Sequence, residues 1–165
     1  MELKKQNFIQ IVNGNRGIIR SLCKIYFRSN EDQKDAFQDV ILQLWKSFDT
    51  FRGESEISTW IYRVGFNTIL TKIRRDKKSV ASESIDTPHF YISDSKADDN
   101  VELLSIIIQS LKDIDKAIVV LYLEGYRSKE IAEILKITPT NVTTRFNRIK
   151  ALLKMKYNNK SHATK

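Results

Sequence analysis

The fold is decided by the stretch SKEIAEILKITPTNVTTRFNRIK, residues 128–150. Its apolar residues follow a helical period on both sides of a short turn at Lys136-Ile137. Ser128 is the predicted N-cap of the first helix, because its hydroxyl can accept a hydrogen bond from a free N–H of the first turn. Thr138 is the predicted N-cap of the second helix, with Pro139 at the first helical position. Two short capped helices joined by such a turn predict a helix-turn-helix.

The second helix of this motif has a polar face that could bind DNA. Its apolar residues, from Val142 to Leu153, lie along one side, which leaves short hydroxyl and amide groups near its N-terminus. Such groups can reach base edges in the major groove, and the cations further along can reach phosphates or bases. A merely solvated face is the alternative, but it would favour Glu and Lys. The candidate residues are Ser128, Thr138, Thr140, Asn141, Thr143, Thr144, Arg145, Asn147, Arg148 and Lys150.

Helical spacing of apolar residues extends over most of the chain, and no period-two pattern predicts a strand. One helix is predicted from Phe37 to Phe48, followed by a loop around Gly53 and a helix from Ile57 into the basic run ending at Lys78. Gly125 is predicted to end a helix as its C′ residue. The fold class is therefore all-α. Further helices are predicted at 19–27, 103–111 and 114–123.

Charge divides the chain into two basic domains and an acidic linker. The net charge of +8 is made of +6 over residues 1–78, −4 over 79–100 and +6 over 101–165. The acidic stretch contains Pro88, is rich in Ser and Asp, and has no sustained helical or strand period. We predict domains at 8–78 and 101–157, a flexible linker at 79–100 and a basic tail at 158–165. Two basic domains on a tether indicate a polyanionic partner, either nucleic acid or an anionic membrane.

Composition excludes several other classes. A single cysteine cannot form a disulfide framework or a cysteine-based zinc site, and two distant histidines disfavour a histidine-based metal centre, so we expect no metal and no cofactor. No apolar run approaches the ~20 residues of a membrane span, and the N-terminus lacks a signal-peptide core. We expect a soluble cytoplasmic protein without membrane insertion. The helical spacing of Cys23 favours a buried core residue over a redox switch.

Several ordered motifs make a family resemblance specific. The stretches Asp35–Trp45, Phe51–Ser55 and Ser58–Arg63, with Asn67 and Arg74-Arg75, resemble the second conserved region of sigma factors. The helix-turn-helix at Glu124–Lys150 resembles the fourth region. The chain is similar over most of residues 8–155 to sigma-70-type RNA polymerase sigma factors of the extracytoplasmic-function (ECF) group, which have only these two regions and a linker.

The resemblance implies partners and site residues. It implies binding to core RNA polymerase, at the β′ clamp helices and the β flap, and to promoter DNA, with an anti-sigma factor as regulator. The helix-turn-helix would bind the minus-thirty-five element, and the linker would pass through the active-site and RNA-exit region. Core-binding residues would be Asp35, Gln38, Asp39, Leu42, Gln43 and Lys46. Residues for the minus-ten element would be Arg52, Gly53, Glu54, Ser55, Ser58, Thr59, Trp60, Arg63, Asn67, Lys72, Arg74 and Arg75. The spacing of Trp60 nevertheless favours a structural role over base stacking.

Several positions depart from the family pattern, among them two in the helix-turn-helix. Lys136 replaces the usual turn glycine, so a non-glycine residue would take any left-handed conformation there. Thr143 stands where many members have Lys.

The main alternative is a helix-turn-helix regulator that never joins polymerase. A small nuclease would need paired carboxylates with a base, a Ser/His/Asp set or a phosphate loop, and none is visible, so we expect no enzyme. A protein-interaction module is opposed by the two basic domains.

Overall fold

The protein is described here by a computed structural model, which describes residues 1–80 and 106–162. All regular structure in these residues is helical, which confirms the all-α prediction. Of the predicted linker, residues 81–100 lie outside the described residues. Residues 101–105 and 163–165 lie outside them as well. Residues 106–110 are helical as well. The other helices are α1 (Glu2–Gly14), α2 (Arg16–Tyr26), α3 (Asn30–Ser47), a 3₁₀ turn (Phe48–Thr50), α4 (Ile57–Val80), α5 (Asp113–Leu123), α6 (Ser128–Leu135) and α7 (Pro139–His162).

Helices α2, α3 and α4 form the core of the N-terminal domain. Each contributes fully buried side chains, among them Leu22, Leu44 and Phe66. Helices α2 and α4 approach closely at Gly65 of α4, where an added Cβ would lie 2.8 Å from Leu22 Cδ1. Cys23 is buried in the same core, as its spacing predicts, and this burial raises the pKa of its thiol to about 11.

Helix α1 was not predicted from the sequence. Of its residues only Phe8 is buried, and the ring of Phe8 packs edge-on against Trp45 and Phe48, with centroids 5.0 and 5.3 Å away. Leu3 and Ile9 remain exposed. The apolar residues of α1 therefore do not follow one buried stripe, which is the signal on which the helical prediction depends.

The helix-turn-helix has the predicted elements, with one cap corrected. Helix α5 ends in a Schellman motif, in which Gly125 (φ +89°) donates to Tyr122 and Tyr126 N–H donates to the Leu121 carbonyl. Ser128 as N-cap is wrong. Arg127 is the N-cap, its N–H donates to the Glu130 carboxylate, and the Ser128 hydroxyl instead bonds the Tyr122 hydroxyl at 2.6 Å.

The turn and the second helix agree with the sequence. Lys136 has φ 56° and ψ 45°, the left-handed conformation expected where the family has glycine. The Thr138 hydroxyl accepts from Asn141 N–H at 3.2 Å, which confirms the predicted N-cap. Helix α7 runs to His162, beyond Leu153, the last residue of its predicted apolar stripe.

The two halves of the chain pack directly on each other. The Tyr26 hydroxyl donates to the Asp113 carbonyl at 2.7 Å, and the Tyr126 ring packs edge-on against Tyr62. Burial and the neighbouring Asp113 and Glu124 charges raise the pKa values of Tyr26 and Tyr62. Buried side chains of both halves belong to one apolar cluster. In this arrangement α6 therefore lies against α4, the helix predicted to bind the minus-ten element.

Candidate nucleic-acid interface

A cavity of 390 Å³ lies where the end of α3, the Gly53 loop and α4 meet. Its size is in the range of small-ligand pockets, and its lining is mixed, with amide, hydroxyl, charged and aromatic groups. Such a lining suits a planar base with polar edges. The lining residues are Gln43, Ser47, Thr50, Phe51, Arg52, Glu54, Ser55, Trp60, Arg63, Val64, Asn67, Thr68 and Lys136.

The aromatic wall of this cavity is held rigidly. Trp60 is only 6% exposed, and its ring centroid lies 4.9 Å from that of Phe51 and 6.2 Å from that of Phe48. The loop turns at Gly53, whose φ of 71° is in the left-handed region that favours glycine. Trp60 thus has the structural role that its spacing predicts, and an edge of it also borders the cavity.

Six of the predicted minus-ten residues come together at this cavity, and the others lie elsewhere. Gly53 shapes the loop. Ser58 and Thr59 point to a second cavity on the opposite side of the loop. Lys72, Arg74 and Arg75 lie further along α4. The six at the cavity are Arg52, Glu54, Ser55, Trp60, Arg63 and Asn67.

Arg63 is the most unusual residue of the cavity. Its Nε is buried and has no hydrogen-bond partner among the described residues. A buried donor without an acceptor costs about 1–3 kcal/mol, more for a charged group. The Arg63 side chain borders both cavities and so forms part of the wall between them.

The second cavity separates α4 from the helix-turn-helix and is acidic. Its 540 Å³ volume is bounded by Ser58, Thr59 and Tyr62 on one side and by the α5–α6 junction on the other. The Thr59 and Tyr126 hydroxyls bond each other across it at 3.1 Å. An acidic lining repels phosphates, so this cleft does not suit DNA in the arrangement described. Its carboxylates belong to Glu54, Glu56, Glu124, Glu130 and Glu133.

Two residues predicted for different partners are paired with each other. Lys72, expected at DNA phosphates, donates to Asp39, expected at the polymerase, at 2.8 Å. The Lys72 side chain is 18% exposed, and its bond to Asp39 raises its pKa. This ion pair ties α3 to α4, so both residues contribute to the packing of the domain.

The recognition face of α7 is exposed over its first turns. Thr140, Asn141, Thr143, Thr144 and Arg148 are all solvent-exposed, as are Thr138, Asn147 and Lys150. Ser128 is half-buried, and its hydroxyl is hydrogen-bonded to the Tyr122 hydroxyl.

Arg145 differs from the rest of this face. Its side chain is 30% exposed, forms an ion pair with Asp115 of α5 and donates to Asn141. The structure thus gives Arg145 an internal role that helical spacing alone did not indicate.

The polar edge of α3 predicted to meet polymerase is also accessible. Asp35, Gln38, Leu42, Gln43 and Lys46 are exposed, and the apolar Leu42 side chain is 48% exposed. Gln38 also borders a 380 Å³ groove between α2 and α3. Basic side chains line this groove, and the Phe37 ring is also part of its lining. Its remaining lining is Arg16, Arg20, Cys23, Lys24, Asn30, Gln33 and Lys34.

Several cavity residues were assigned elsewhere or missed. Gln43 was predicted for core binding but lines the base-sized cavity, and Ser47, one turn further on α3, lines it as well. Thr68 follows Asn67 directly, and Lys136 comes from the other domain. The i, i+4 pair of Gln43 and Ser47 at the end of α3 is a signal that could have pointed to this wall.

The fold and site define a class, namely helical proteins that combine a helix-turn-helix with a second domain suited to an unstacked base. The family model "Sigma-70 region 2" matches residues 11–79, and "Sigma-70, region 4" matches residues 103–153. The chain therefore belongs to the sigma-70 family of RNA polymerase sigma factors, in the ECF group. The match to region 2 disfavours the alternative of a regulator that never joins polymerase.

Named relatives and a solved structure agree. The chain is 30% identical to RNA polymerase sigma factor YlaC of Bacillus subtilis over 135 residues, 75% of this chain and 76% of YlaC. It is 25% identical to ECF RNA polymerase sigma factor SigM of Mycobacterium tuberculosis over 150 residues, 88% and 74% of the two chains. The sigma factor RpoE of Bartonella quintana, solved with the anti-sigma factor NepR, has the same fold, with a TM-score of 0.70, 15% identity and coverage of 94% and 96%. Within the described residues, no helix is both long and apolar enough to span a membrane.

Proposed function

We propose that this chain initiates transcription as an ECF sigma factor, in which the cavity at the Gly53 loop takes one unstacked base of the minus-ten element and α7 binds the minus-thirty-five duplex. The observation that carries the proposal is the presence on one chain of a cavity with a mixed polar and aromatic lining and of an exposed recognition helix. The protein acts by binding and positioning and catalyses no reaction. We place it in the cytoplasm, where the polymerase and the promoter are.

The cavity would stabilise melted DNA by receiving a base that has left the stack. Amide, hydroxyl and guanidinium groups at its rim can bond the polar edges of a base, and Phe51 and Trp60 offer ring surface. The cations of α4 beyond Lys72 would follow the phosphates of the strand.

Binding of the minus-ten strand by Ser58 and Thr59 would require the helix-turn-helix to move away. In the arrangement described, these residues face an acidic cleft, and Thr59 bonds Tyr126. The linker at 79–100, of which only Ser79 and Val80 are described, would let the two domains separate to the distance between the promoter elements. The closed arrangement is thus proposed for the chain away from the promoter.

Core polymerase would bind the polar edge of α3. Exposed Asp35 and Gln38 can pair with basic or polar groups of a partner helix, and exposed Leu42 supplies an apolar contact beside them. In a chain of net charge +8, an acidic edge fits protein better than phosphate. By resemblance, the partner helix belongs to the β′ clamp, and the second domain would meet the β flap.

An anti-sigma factor is the proposed regulator. Two structurally similar chains, the sigma factor RpoE and CnrH, were solved with the anti-sigma factor NepR and the cytosolic domain of CnrY respectively. A partner that held the two domains of this chain together would keep the minus-ten residues at the cleft covered.

Transcription by reconstituted holoenzyme tests the proposal. Core polymerase plus the wild-type chain should give specific transcripts from a random promoter library, and core alone should give none. Gln38→Ala and Leu42→Ala should weaken core binding, measured by co-purification, whereas Glu31→Ala at the start of α3 serves as the control that retains it. A wild-type chain that neither co-purifies with core nor yields transcripts would refute the proposed function.

A further inference from the structure

Three side chains link the first turn of α5 to the exposed start of α7. Asp115 Oδ1 accepts from Arg145 Nη1 at 2.9 Å, and Arg145 Nε donates to Asn141 Oδ1 at 2.8 Å. The side chains of Asp115 and Arg145 are only 17% and 30% exposed, so their ion pair is partly shielded from water. Asn141, the last of the three linked residues, is exposed on the recognition face of α7.

The link fixes which end of the Asn141 carboxamide is available to a ligand. A carboxamide has an acceptor oxygen and a donor amino group, whereas a guanidinium can only donate. The oxygen of Asn141 is therefore the atom engaged by Arg145, and the amino group is the end left free. The backbone N–H of Asn141 also donates to Thr138 Oγ1 at 3.2 Å, which anchors the residue in the first turn of α7.

The free amino group changes which base Asn141 can read. An unconstrained asparagine favours adenine, because its oxygen accepts from N6–H while its amino group donates to N7. With the oxygen engaged by Arg145, that paired contact is weakened. The free amino group can still donate to adenine N7, but adenine presents its N6 donor beside that atom, whereas guanine presents a second acceptor, O6.

We infer that Asp115 and Arg145 are positioning residues that orient Asn141 as a hydrogen-bond donor and so make it prefer guanine over adenine at the base it contacts. The inference rests on the proposed function, since it requires α7 to enter the major groove. It changes the role of Arg145 from a direct DNA contact to a residue that acts through Asn141.

Binding profiles of the holoenzyme test this inference. Affinities are measured for promoter duplexes in which each minus-thirty-five base pair is replaced in turn by the other three. Asn141→Ala should abolish discrimination at one base pair, which identifies the contact. There the wild type should prefer guanine over adenine by about tenfold, the scale of one good base contact.

Two variants then separate positioning from general stability. Arg145→Lys keeps the charge but lacks the planar fork that bonds Asp115 and Asn141 together, and Asp115→Asn removes the charge of the partner. Both should lose the guanine preference at that base pair, with adenine favoured or equal, and leave the other positions unchanged. Asp49→Asn is the matched control, because it removes the same charge from an exposed ion pair of the other domain and should leave the profile unchanged.

The outcomes decide the inference. A wild-type preference for adenine at the Asn141 base pair, no position affected by Asn141→Ala, or an unaltered guanine preference in Arg145→Lys would each overturn it. An equal loss at all positions together with a lowered unfolding temperature would assign Asp115 and Arg145 to folding alone and also overturn it. In each of these cases, sequence-specific binding by the wild type would leave the proposed function standing. A wild-type holoenzyme without any sequence preference would instead refute the proposed function and the inference with it.

Discussion

The two candidate DNA-binding surfaces of this chain differ in shape and in their relation to the core. The cavity at the Gly53 loop is concave, is built from four separate segments, and has the buried Trp60 as part of its wall. The face of α7 is convex and exposed, and its side chains from Thr140 to Arg148 are mostly detached from the core. A concave aromatic site suits an unstacked base, whereas a convex helix suits the major groove of a duplex. The difference implies that substitutions of the buried residues of the cavity wall alter folding and binding together, while those on the exposed face of α7 alter binding alone.

The largest effect should come from Trp60→Ala. Truncation of a buried tryptophan that packs on Phe48 and Phe51 should lower the free energy of unfolding by about 3–5 kcal/mol. Urea unfolding of the full chain measures the change. Thr144→Ala on the exposed face of α7 is the control and should change stability by less than about 0.5 kcal/mol. Similar losses in both variants would remove the contrast between the two surfaces.

The next effect should come from Gly65→Ala, which tests how tightly the cavity domain is packed. The added methyl group would lie 2.8 Å from Leu22 Cδ1, so this buried side chain must shift at a cost of about 1–3 kcal/mol, of which the gain in helix propensity of roughly 0.5–1 kcal/mol offsets part. Gly17→Ala on α2 is the matched control, since its added Cβ meets no atom within 4 Å. That control should stabilise the chain by roughly 0.5–1 kcal/mol through helix propensity. Thermal unfolding compares the two, and equal effects would contradict the close approach of α2 and α4.

A smaller effect is expected from Arg148→Ala, which sharpens the account of the convex surface. Arg148 is exposed, and as a phosphate or base contact it should weaken promoter binding by holoenzyme. If it contacts a phosphate, the slope of log K against log salt should fall by about one unit. Fluorescence anisotropy over a salt series measures this slope. An unchanged affinity and slope would remove Arg148 from the DNA interface.

The smallest effect should come from Lys136→Gly in the turn of the helix-turn-helix. Lys136 occupies the left-handed region, which costs a residue with a Cβ roughly 1–2 kcal/mol, and the added flexibility of glycine offsets part of the gain. We expect a net stabilisation below about 1 kcal/mol in urea unfolding. A clear destabilisation would show that Lys136 contributes a contact beyond its conformation, for instance at the cavity that it borders.

The sequence predicted the convex surface better than the concave one, for a physical reason. Caps and periodicity are local, so Thr138 and the exposed Asn141 could be placed from neighbouring residues alone, and the family resemblance indicated the left-handed Lys136. The cavity joins α3, the loop, α4 and Lys136, and no local pattern states which segments meet. The pairing of Lys72 with Asp39 and of Arg145 with Asp115 is equally non-local.

The packing of the two domains on each other could also not be predicted from the sequence. The contacts of Tyr26 with Asp113 and of Tyr62 with Tyr126 join residues more than sixty positions apart. Family resemblance indicated two domains and a linker, and it carried no information on how the free domains lie against each other.

The division of labour between the two surfaces is the central claim, and it is tested most directly with two DNA probes bound by holoenzyme. One probe is a duplex of the minus-thirty-five element, and the other is a fork-junction DNA whose minus-ten element is already single-stranded. The account predicts that Arg148→Ala lowers the affinity for the duplex probe and leaves the affinity for the fork probe unchanged. Arg63→Ala should leave the affinity for the duplex probe unchanged and lower the affinity for the fork probe. Equal losses on both probes by either variant, with core binding intact, would contradict it.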